Sequence, residues 1–84
     1  DQGRYDAETK LRASDSRIAS LERSALPQAT EALRLAQLGY QAGKFSLVEL
    51  IDAQSALNDV RTALIQARLD RALAIAALYR ANAQ

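Results

Sequence analysis

Apolar residues recur along the first half of the chain at Leu11, Ile18, Leu21, Ala25 or Leu26, Ala29, Leu33, Ala36 and Tyr40. Their steps of three and four gather them on one face of a helix. On the other faces, Asp6 with Lys10, Glu8 with Arg12 and Glu31 with Arg34 stand at helical pairing distance. The pattern predicts a helix over about 5–42. Pro27 interrupts it, since a proline inside a helix removes a hydrogen bond and clashes with the preceding turn, at about 3 kcal/mol. Ser24 as an N-cap would place Pro27 in the first turn of a new segment, so a kink or break is expected near 23–27.

The second half has a heptad pattern. With Leu50 as position a, the a series reads Leu50, Leu57, Leu64, Arg71 and Leu78, and the d series Ala53, Val60, Ala67, Ala74 and Ala81. Alanine at four of these five d positions lets a neighbouring helix approach closely. A second apolar set, Leu47, Ile51, Ile65, Leu69, Leu73 and Ile75, lies beside this seam. One partner helix cannot cover both sets. Arg71, the polar exception on the seam, is expected to snorkel to solvent or to pair with an acidic neighbour.

Between the two halves, Gly43 suits the left-handed residue that closes a helix. Ser46 and Glu49 have capping-box spacing, and Phe45 with Leu50 that of a hydrophobic staple. The turn is therefore read at 43–45 and the second helix at about 46–82. So short a connection makes the helices antiparallel. Each arm is then roughly 50 Å long at 1.5 Å per residue. The fold class read from the sequence is all-α, a long antiparallel helical hairpin of coiled-coil type forming a single unit over 1–84. The uncovered stripe argues for assembly, and the isolated fragment is expected to self-associate.

Composition narrows the function. The chain has 84 residues, 11 basic and 10 acidic, and neither Cys nor His. The usual zinc, haem and thiol chemistries lose their ligands, so no metal site and no cofactor are expected. Charges of both signs are spread along the chain, which argues against a nucleic-acid arm. Glu49, Asp52 and Asp59 share helical spacing, but a hairpin offers no cleft in which paired carboxylates could do acid–base work, and no catalytic residue is assigned. No run reaches the ~20 apolar residues of a membrane-spanning helix. The start at Asp1, with no charged and apolar leader, fits a processed chain or an excised fragment.

One stretch is more specific than any heptad: Tyr40-x-x-Gly43-x-x-Ser46-x-x-Glu49-x-x-Asp52-Ala53-Gln54, followed by Leu57 and Arg61 and preceded by Leu26-Pro27-Gln28-Ala29. It resembles the outer membrane efflux protein family, the TolC-like channels, with closest likeness to the branch serving heavy-metal resistance pumps. Residues 1–24 match only as generic helix. The resemblance implies a homotrimeric parent whose helices form a periplasmic α-barrel below an outer-membrane β-barrel. This segment would then be the periplasmic coiled-coil hairpin whose turn faces a periplasmic adaptor and an inner-membrane pump. By the same likeness, Gly43, Lys44, Phe45, Ser46 and Leu47 form the adaptor-contact tip, while Tyr40, Glu49 and Asp52 belong to the entrance gate. Phe45 stands where the best-studied channel type has an arginine of the closing network, so closure here depends more on packing. The transported substrate, metal ion or drug, is not written in this segment. Two rival readings are an adaptor-type hairpin and an amphipathic hairpin lying on lipid.

Overall fold

A computed structural model describes residues 2–83, which are helical apart from the turn at 42–46 and the last residue. Helix α1 runs Gln2–Ser20, a single π-helical turn covers Leu21–Ala25, α2 runs Leu26–Gln41 and α3 runs Leu47–Asn82. No strand occurs among the described residues. The molecule measures 63 × 16 × 14 Å with a radius of gyration of 18.3 Å. A compact domain of this length would have about 12 Å, so the chain is a thin antiparallel rod two helices wide.

The a/d seam of α3 faces the first arm. Leu57, Leu64, Ala67 and Ala74 are buried, while Leu50, Ala53, Val60, Leu78 and Ala81 are half-buried. From the first arm Ala7, Ser14 and Ala36 are buried against it, with Leu11, Ile18, Leu21, Ala29 and Leu33 half-buried. Ala7 and Ser14 fill places the apolar count passed over. Serine can occupy the seam because its Oγ donates to the Leu11 carbonyl at 2.9 Å, leaving no polar atom unpaired. Small residues on both sides let the helix axes come close, but they bury little area each.

Arg71 emerges from the seam and its Nε donates to Asp15 Oδ1 at 2.6 Å across the hairpin. Arg68 does the same with Glu22 at 2.9 Å. These exposed pairs follow from which residues of the two arms the seam sets opposite, and each stabilises the hairpin only slightly. Along α1 the pairing differs from the sequence expectation. Glu8 takes Arg4 rather than Arg12, and Asp6 accepts from Gln2 rather than meeting Lys10. Glu31 and Arg34 do pair, and the guanidinium hydrogen bond holds the Glu31 carboxyl below its ordinary value. That contribution is present above the unfolded carboxyl's pKa and is lost as pH falls through the lower folded one. It is small, because both side chains are more than half exposed.

Ser24 is not an N-cap. The residue preceding α2 is Ala25, itself helical, and no side chain caps there. The chain stays helical through Pro27 because the turn before it widens: the Leu26 N–H reaches back five residues to the Leu21 carbonyl. A wider turn relieves the crowding that proline's ring imposes on the preceding carbonyls. Ser24 Oγ accepts from Gln28 Nε2 at 3.1 Å within this region.

The rod exposes 6086 Å², whereas a compact monomer of 9.1 kDa would expose about 4900 Å². The excess follows from the thin rod shape, which leaves the second apolar set uncovered. Leu47, Ile51, Ile65, Leu69, Leu73 and Ile75 are all exposed, and Leu35 and Leu38 add to them from α2. No helix among the described residues is long and apolar enough to cross a membrane.

Candidate functional site: the hairpin tip

The tip is built from two helix caps placed back to back. At the end of α2 the Gly43 N–H donates to the Tyr40 carbonyl at 3.0 Å, and the Lys44 N–H donates to the Gly39 carbonyl at 2.8 Å. This crossed pair is a Schellman closure, which needs a left-handed residue at its centre. Gly43 supplies it at φ 74°. At the start of α3 the extended Ser46 accepts from the Glu49 N–H through Oγ, while Glu49 Oε2 accepts from the Ser46 N–H, both at 3.1 Å. The capping box is therefore complete, and it satisfies two amides that the helix start would otherwise leave open.

Phe45 lies between the caps. Its N–H donates to the Gly39 carbonyl at 3.1 Å, so that oxygen accepts from both Lys44 and Phe45. The ring rests on Gly39 itself: a Cβ there would stand 2.8 Å from the ring's Cγ and Cε2. The staple pattern assigns Phe45 to its own helix, whereas the structure seats it on the other one. Gly39 is the residue that the sequence reading left without a role. The available signal was a glycine inside an otherwise good helix, six positions before the single phenylalanine.

The residues singled out in the sequence gather at this end of the rod. Gly43, Lys44, Phe45, Ser46 and Leu47 form a continuous exposed run from the turn into α3. Tyr40 is exposed at the last turn of α2 and sits at the edge of the seam rather than in it. Glu49 and Asp52 are exposed one helical turn apart at the start of α3. Glu49, in the first turn of α3, also lies at the positive end of the helix dipole. Val48, 65% exposed, joins Leu47 and Phe45 in making the tip more apolar than its charges suggest. Among the described residues no group of three or more potential ligands comes together to hold a metal ion.

The tip thus joins a doubly capped turn to exposed apolar side chains and to two carboxylates at the start of α3, on a rod whose second apolar stripe is uncovered. A family model of outer membrane efflux proteins matches residues 4–84, nearly the full length. The chain belongs to the outer membrane efflux protein family. Efflux proteins of this family are outer-membrane channels and not enzymes, and in general they work as trimers with adaptor and pump partners. Neither a curated protein nor a solved structure matches the chain. The family is associated with the outer membrane.

Proposed function

We propose that this hairpin is a periplasmic wall segment of the outer-membrane channel of a tripartite efflux pump, with its turn as the adaptor-docking tip. The observation that carries the reading is the efflux-family match over residues 4–84, which takes in a turn whose residues 43–47 are all exposed at one end of the rod. Lys44, Phe45 and Leu47 present one cationic and two apolar groups on that fixed backbone. The uncovered stripe of α3 supports lateral packing against neighbouring helices of a trimeric barrel. The Tyr40 to Gln54 run supports the heavy-metal resistance branch.

Photo-crosslinking from position 44 of the full-length protein, in cells carrying its cognate adaptor, tests the tip. A crosslink to the adaptor that disappears when the probe moves to mid-helix Thr62 is the expected result. Crosslinks to lipid alone would transfer the hairpin to the rival class of amphipathic membrane-surface elements.

Glu49 and Asp52 make up the acidic part of an entrance gate in the same proposal, with Tyr40 packing beside them. Three copies of each around a shared axis would give two rings of three carboxylates, one helical turn apart, and favour cations there. Local capping does not compete with this, since a cap engages Glu49 at its Oε2. Glu49→Gln with Asp52→Asn is expected to reduce cation selectivity or cation block at the entrance severalfold in single-channel recordings of the full-length protein. Unchanged conductance and selectivity would remove the gate while leaving the docking tip standing.

A further inference from the structure

The π-helical turn at Leu21–Ala25 holds one residue more than the seam requires. Seam positions advance from Ala7 through Leu11, Ser14 and Ile18 to Leu21 in steps of four, three, four and three. Three successive steps of four are then needed to reach Leu33, and the sequence resumes with a step of three to Ala36. The widened turn, closed by the Leu26 N–H on the Leu21 carbonyl, absorbs the surplus. Without it, an uninterrupted α-helix would carry α2 forward by ~1.5 Å and rotate it by about 100°. The seam would then fall on Gln28, Ala32 and Leu35.

That second seam is largely apolar already. Ala32 and Leu35 are exposed in the present register, Leu35 by 49%, while Ala36, the residue it would replace, is 6% exposed. Helix α2 therefore carries two small-and-apolar faces offset by a single residue, directly downstream of a turn holding a single extra residue. We propose that α2 is a two-register helix: the π turn stores a one-residue slip, and its release exchanges the seam Ala29–Leu33–Ala36 for Gln28–Ala32–Leu35. Pro27 biases the pair toward the present register, because the α-helical turn that release would form is the one proline disfavours. The slip reaches the tip. Gly39 already faces the other arm through the Phe45 ring that rests on it, so a rotation of α2 by about 100° carries that seat away from the ring. A change at Leu21–Ala25 thereby alters the tip ~25 Å away along the helix.

The chain has no cysteine, so single cysteines at 35 and at 36 report the register by their rates of maleimide labelling in the full 84-residue chain. In the parent sequence position 35 is expected to label at least tenfold faster than 36. Pro27→Ala is expected to raise the 36:35 rate ratio at least fivefold, with cysteines at 33 and 32 moving in the same sense. Deleting Ser24 in addition removes the surplus residue and is expected to return the ratio to the parent value. A ratio that stays within twofold of the parent in both Pro27→Ala and Pro27→Ser overturns the proposal. So does acceleration of 35 and 36 together, which would mean fraying without rotation.

Discussion

Leu57→Ala is expected to destabilise the hairpin by about 2–5 kcal/mol, the range for a buried leucine whose site cannot collapse. The seam gives it little means of collapsing. Leu57 is 2% exposed and Leu64 6%, and every other buried seam residue is alanine or serine. These two are the only large side chains among the buried seam residues, and no third layer of structure can move in to fill a void. For so small a unit each kcal/mol shifts the melting temperature by roughly 4–8 °C, so the change is large in a circular dichroism melt. Leu69→Ala serves as the comparison. Leu69 is 50% exposed on the same helix, and its loss should cost within about 0.5 kcal/mol in a monomer. Equal melting curves for Leu57→Ala and Leu69→Ala would mean that the two arms do not hold each other by this seam.

Replacing Ile65 and Leu69 together by glutamate should dissociate the isolated chain without unfolding its arms. Ile65 is 66% exposed and one helical turn from Leu69, so the pair forms one patch of the uncovered stripe. Burying such side chains against another molecule is favourable by roughly 25 cal/mol for each Å² removed from water. Carboxylates at both places would have to be desolvated or face one another across the contact. Sedimentation equilibrium is expected to show oligomers for the parent sequence at tens of micromolar and species near the 9.1 kDa chain mass for the double variant. Helicity should change little on dilution of the variant. A parent chain that remains monomeric at high concentration would show that the stripe has no affinity for itself.

The α3 seam was legible because alanine and leucine recur there with unbroken heptad spacing. The turn was legible because Gly43, Ser46 and Glu49 each have a local reason to be where they are. Capping chemistry depends on a few adjacent residues, and such features survive the step from sequence to structure. Other features depended on the opposite arm. Arg71 could be placed on the seam, but its choice of Asp15 follows from which residues of the two helices face each other. Ser14 drew no notice in an apolar count, and its place in the seam depends on its hydroxyl bonding the Leu11 carbonyl. Pro27 was the hardest residue to read. Its own chemistry announces that the helix is disturbed, yet a break, a kink and a widened turn all answer the same steric problem. The hesitation between Ala25 and Leu26 as the seam residue was the trace of the extra position, visible only as a lapse in the three-and-four count. Gly39 was missed because its partner Phe45 already had a local assignment. The candidate site was thus readable as a set of residues at one end of the rod, while the seating of Phe45 on Gly39 needed the fold.

The back-to-back caps also decide the order in which the molecule assembles itself. The contacts that close the turn join residues no more than six apart, so they form on the tens-of-nanoseconds scale of short loop closure, before either arm has a partner. Once the turn exists, each following layer of the seam is close at hand, and its loop entropy has already been spent by the layer before. The hairpin is then expected to zip from the tip toward its open ends, passing Leu57 and Leu64 before the alanine and serine layers beyond. A fault in the caps would delay every later layer, whereas a fault near Ala7 or Ala81 would leave the tip complete.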